Sequence, residues 1–86
     1  MLSKPLVVRH AYKHGLSKRD ILHAWKNAYV ETVRSGPYPP QHVLIGPDTA
    51  GRDLQLLAVW NDDLQRWVIF HAMPATRKAK RETGLM

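Results

Sequence analysis

Eighty-six residues without a cysteine make one small domain, residues 1–86, and exclude a disulfide scaffold, a thiolate metal site and a cysteine nucleophile. A chain of this size buries roughly 60–65% of the surface it exposes when unfolded, yet 44% hydrophobic content with three Trp and three Tyr is enough for a packed core. The net charge of +6 is unevenly spread: residues 1–40 hold seven cations and two anions, residues 41–70 two cations and four anions, and residues 71–86 four cations and one anion. If the two basic ends meet in the fold, they form a face suited to a polyanion; otherwise they are a solvated surface that keeps a small protein in solution. No apolar run is long enough to span a bilayer and no apolar segment of the signal-peptide kind follows Lys4, so the expected compartment is the cytoplasm, without a membrane.

In chain order, "KPLVVRHAYKHG" predicts a short first helix, with Pro5 at its first position and Gly15 ending it. A second helix is predicted in "LSKRDILHAWKNAYVETV". Ser17 is its N-cap, Asp20 completes a capping-box-like pair, and Leu16 staples against Ile21. Ile21, Leu22, Trp25, Ala28 and Tyr29 recur at three- and four-residue spacing along its apolar face. "RSGPYPPQ" breaks the helix, and the pattern turns to strands: His42–Ile45, then Leu54–Trp60, then Gln65–Ala72 after the turn "NDD". Pro74 stops the last strand, and Thr76–Glu82 forms a short basic helix or tail. The expected class is therefore α+β: two N-terminal helices followed by an antiparallel sheet of three or more strands and a basic C-terminal segment.

Phosphate-loop, dinucleotide and nucleophile-elbow patterns are missing from the sequence. His10 and His14, four apart on the expected first helix, could share a metal ion, but they lack a third ligand nearby and read better as a surface pair. His71 closes an apolar strand immediately ahead of Arg77, Lys78, Lys80 and Arg81. An imidazole beside guanidinium and ammonium groups suits acid–base chemistry on a phosphodiester; the alternative is a partly buried histidine satisfied by a backbone carbonyl. Arg52, a cation in the acidic middle of the chain, either points toward the basic face or pairs with Asp48 or Asp53.

"KHGLSKRDILHAW", "LIGPDTAGRDLQLLAV" and "WVIFHAMPATRKAKRE", in that order and spacing, resemble the small BrnT-like toxins of bacterial type II toxin–antitoxin systems, whose fold is related to the RelE ribonucleases. The resemblance runs from about residue 7 to residue 82. It implies a metal-independent, cofactor-free endoribonuclease that inhibits translation by cutting RNA (mRNA, free or on the ribosome) through attack of a ribose 2′-hydroxyl on the adjacent phosphate. It further implies a cognate antitoxin protein as partner, with operator DNA bound only through that antitoxin. On this resemblance Lys13, Arg52, Arg77 and Lys78 are the functional cations; with His71 chosen as the acid or base, the expected catalytic set is His71, Arg77 and Lys78, and Lys13, Arg52, Lys80 and Arg81 are expected to hold the RNA. Met73 departs from the pattern, standing where the better-known toxins carry an arginine. The competing expectation is a non-catalytic basic module of the same fold that binds RNA, ribosome or DNA through phosphate contacts alone.

Overall fold

A computed structural model describes residues 4–86. It is an α+β domain, but the expected order of two helices followed by a sheet is overturned. The chain starts with a strand, β1 (Leu6–Val7), which adds to the sheet in parallel beside the last strand. A single 3-10 turn follows at Arg9–Tyr12, where the sequence predicts a helix. The consecutive β-branched Val7 and Val8 explain the difference: they favour extended backbone, and Val8 N–H donates to Ile69 O at 3.1 Å. That leaves room only for the four-residue turn and two further residues before Gly15, which takes φ +77° as a chain-reversing residue.

Helix α1 (Lys18–Lys26) begins where expected. Ser17 Oγ accepts the Asp20 N–H at 3.1 Å, while the Asp20 carboxylate accepts from Thr49 N–H at 2.9 Å and Thr49 Oγ1 at 2.7 Å. It ends seven residues earlier than the sequence suggests, with Asn27 Nδ2 donating to His23 O at 2.9 Å. Beyond it Val30–Arg34 forms β2, because "VETVR" alternates with period two and is rich in β-branched residues. Then come β3 (Gln41–Pro47), β4 (Asp53–Asn61), β5 (Arg66–Pro74) and the six-residue α2 (Arg77–Glu82). The sheet order is β1-β5-β4-β3-β2, antiparallel except between β1 and β5.

Register divides the sheet into two unlike faces. Leu44, Leu56 and Ala72 lie side by side across β3, β4 and β5, as do Ala58 and Ile69. These residues pack with Ile21 and Ala24 of α1 and with Ala11 of the 3-10 turn. Gly46 lets α1 approach closely: a Cβ there would lie 2.2 Å from Ala24 O and 2.9 Å from Ala28 Cα. The opposite face carries Val43, Ile45 and Gln55, all buried, and receives the buried Ala79 of α2. Among the described residues no helix is long and apolar enough to cross a membrane.

Candidate functional site

One irregularity in β5 places the histidine of interest. Ala58 pairs with Ile69 and Leu57 with His71, leaving Phe70 as an extra residue, a β-bulge. Strict alternation from the fully buried Ile69 would put His71 on the core face. The bulge shifts the phase, so His71 shares a face with its partner Leu57 and with Gln55 and Val59 on β4, opposite the α1 side. Met73 lies on that same face across from Gln55.

The turn after the 3-10 segment brings its own side chains to this point. The 3-10 turn is held by the buried Ala11 and by the Val8–Ile69 bond, and Gly15 N–H donates to Tyr12 O at 3.0 Å. The exposed His14 thereby presents its ring nearly perpendicular to His71, with 5.3 Å between centroids and 81° between planes. Burial first, then the neighbouring charges of His14, His10, Lys13 and Arg34, holds the His71 imidazole below its ordinary pKa and favours its neutral form. His14 thus meets His71, and the charge of His10 also reaches it, although no group of three His, Asp or Glu side chains arranged to hold a metal ion occurs among the described residues.

Arg34 closes the far side. It pairs with Gln41, so Arg34 lies on the sheet face of His71, three strands across on β2, and its charge reaches the imidazole. Its guanidinium grips Glu82 of α2 through two bonds, Nε to Oε2 at 2.7 Å and Nη2 to Oε1 at 3.0 Å. The Glu82 bond, set against some burial, raises the Arg34 pKa; the Arg34 bond in turn lowers that of Glu82, with the charge of Lys78 adding to it.

Helix α2 is set by polar contacts. Thr76 caps it by accepting from Ala79 N–H at 3.1 Å, and Gln55 Oε1 receives both Thr76 N–H (2.8 Å) and Thr76 Oγ1–H (2.9 Å). Arg77 and Lys78 lie exposed in its first turn, and Arg81 is exposed further along.

The cations named from the sequence are therefore not all in one place. Lys13 stands with His14 and His71, and Lys78 stands near Glu82 and Arg34. Lys80 turns toward Asp53, with Nζ 3.7 Å from Oδ2, beside an open cleft of about 550 Å³ lined by Tyr29, Asp53, Lys80, Leu85 and Met86. Arg52 lies five residues from Leu57, about 17 Å along β4 at 3.4 Å per residue. There its backbone N–H and Nε donate to the buried Asp48 at 2.8 and 2.9 Å, and Ala50 N–H donates at 2.9 Å. The "GPDTAGR" connector is thus an Asp48-centred loop, and Arg52 is one of its clamps.

Sequence reasoning misses Arg34, because it stands at the head of the helix-breaking stretch "RSGPYPPQ" and reads there as a loop residue, and it undervalues His14. The "KHG" motif ahead of a capped helix was the available signal for the latter. No family model matches the chain, and no curated protein or solved structure matches it either.

Proposed function

We propose that this chain is a metal-independent endoribonuclease, the toxin of a type II toxin–antitoxin pair, acting on RNA in the cytoplasm and held in check by a cognate antitoxin. The observation that carries the nuclease reading is the His14–His71 pair set among cations on an incompletely covered sheet face. Cleavage by a 2′-hydroxyl needs a base for that hydroxyl, an acid for the departing 5′-oxygen and cations for the charge on the phosphorane-like transition state. His71, biased toward its neutral form, takes the 2′-hydroxyl proton while the oxygen attacks phosphorus. His14 supplies a proton to the 5′-oxygen as its bond to phosphorus breaks, leaving a 2′,3′-cyclic phosphate and a 5′-hydroxyl. Lys13 is the nearby cation for the phosphoryl oxygens, with Lys78 and Arg77 on the α2 side. The toxin and antitoxin part of the reading rests on the resemblance of the three sequence segments described above.

The test is direct. Purified protein is incubated with a single-stranded RNA in the presence of chelator, and the product ends are identified. Cyclic-phosphate and 5′-hydroxyl ends are expected, with loss of cutting in His71→Ala, and no cutting of a strand methylated at the 2′-oxygens. RNA that is bound but left whole by the unmodified protein would instead establish the non-catalytic binding module.

A further inference from the structure

Arg34 has the chemistry of a phosphate receptor already occupied. A guanidinium fork bound by two oxygens of one carboxylate presents the same planar, bidentate arrangement that it offers to two oxygens of a phosphodiester. The two oxygens here belong to Glu82, at the last position of α2, 48 residues away in the chain. Both side chains are partly exposed, 33% for Arg34 and 25% for Glu82, so solvent and ligand can reach the pair. Arg34 shares the sheet face of His71, three strands across, with its charge reaching the imidazole, and Lys78 lies on the same side of α2 as Glu82. An RNA strand whose reacting phosphate lies at His71 would carry a neighbouring phosphate toward this fork.

We propose that Arg34 is a phosphate-binding residue of the RNA site and that Glu82 is an intramolecular phosphate mimic, which occupies the guanidinium in the free protein and is displaced when RNA binds. The inference rests on the RNA reading of the site but adds to it a residue pair outside the assigned set. Its consequence is unusual in sign: removing the carboxylate of a basic protein's own ion pair improves its grip on RNA. One negative charge leaves the surface, and a fork that had to be vacated becomes open.

The experiment measures binding separately from cutting. The probe is a 20-nucleotide single-stranded RNA with every 2′-oxygen methylated, so that it cannot be cleaved, followed by fluorescence anisotropy. Glu82→Gln is expected to bind about three- to tenfold more tightly than the unmodified protein, and Arg34→Ala about three- to tenfold more weakly. Arg34→Lys keeps the charge but not the fork, and is expected to bind more weakly than the unmodified protein and more tightly than Arg34→Ala. In the Arg34→Ala background Glu82→Gln should gain much less than in the unmodified protein, since only the removed negative charge still contributes and an absent guanidinium cannot be unmasked; an equal gain in both backgrounds overturns the proposal. Thermal melts confirm that each variant is folded; if Arg34→Ala is not, Arg34→Lys with Glu82→Gln carries the comparison. Equal or weaker binding by Glu82→Gln overturns the proposal, as does unchanged affinity in Arg34→Lys. Tight binding by Glu82→Gln without cleavage of natural RNA by any variant leaves Arg34 as a phosphate site and removes the nuclease reading. Cleavage with no gain in Glu82→Gln does the reverse. A probe bound by none of the proteins overturns both.

Discussion

Replacing Gly46 by alanine tests how α1 is seated on the sheet. The new Cβ would stand 2.2 Å from the Ala24 carbonyl oxygen and 2.9 Å from Ala28 Cα. Both obstacles are helix backbone, so no side-chain rotation relieves them. Ordinary non-bonded separation is about 3.5 Å, so α1 must withdraw by more than about 1 Å. Such a movement also stretches the His23 Nδ1 contact with Pro47 O, now 2.9 Å, which ties α1 to the end of β3. Overpacking costs typically about 1–3 kcal/mol and a weakened hydrogen bond about 1 kcal/mol, so about 3 kcal/mol is expected in all. A domain of this length has only about 4–13 kcal/mol of stability, so the loss is severe. In a circular-dichroism melt the Tm should fall by about 12–24 °C. A Gly46→Ala protein melting within 3 °C of the unmodified one would refute the close seating of α1, and with it the account of why glycine stands there.

The depressed pKa of His71 has a consequence for stability as well as for chemistry. Because the folded state resists protonation there, the unfolded chain binds the proton more readily, and His71 lowers stability as pH falls below about 6.5, the ordinary histidine value. His71→Gln should therefore flatten the decline in Tm between pH 7 and pH 5; an identical decline in both proteins would remove His71 as its source. In the β3–β4 connector, burial alone would push the Asp48 carboxyl up, but hydrogen bonds from Arg52 and Ala50 outweigh it and hold the pKa down. Asp48→Ala should lower the Tm well below that of Arg52→Ala, whose side chain is 74% exposed and supplies only one of the bonds; the reverse order would show that the loop is held by Arg52 and not by the buried carboxylate.

The segments best read from the sequence are those whose signals are local. Ser17 marks the start of α1 by a side-chain bond three residues long, and the runs at Leu54–Trp60 and Gln65–Ala72 are dense in apolar residues between turn signals, so β4 and β5 lie within a residue or two of their expected bounds. What escaped depends on distant partners. Two residues of β1 become a strand only because β5 offers Val68 and Ile69 as neighbours. Tyr29 and Val33 fit a continuing helical spacing as well as they fit a strand, and β3 decides the matter by pairing with Val30–Arg34. The same holds for the site. His71 was legible as a histidine out of place, but period-two alternation from Ile69 assigns it to the wrong face, and the extra residue Phe70 that corrects this leaves no mark in composition. Arg34 reads as the first residue of a Pro-rich loop, and its partner Glu82 is reached only across the folded sheet.

The two faces of the sheet also divide the work of folding from that of binding. The face toward α1 is closed by apolar contact and a backbone approach so tight that it needs glycine. The face toward α2 is covered by a helix of six residues, too short to be stable on its own. Beyond the buried Ala79, what holds α2 is largely polar: Gln55 on Thr76, Arg34 on Glu82, and Lys80 near Asp53. Contacts of this kind contribute about 1 kcal/mol each and the exposed ones less, which is within the reach of one competing phosphate. Releasing Glu82 from Arg34 therefore disturbs the end of α2 without touching Ile21, Leu56 or Ile69 in the main core. A chain with so little stability to spare can carry unpaired cations and two apposed imidazoles only where the core does not depend on them, and the α2 face is that place.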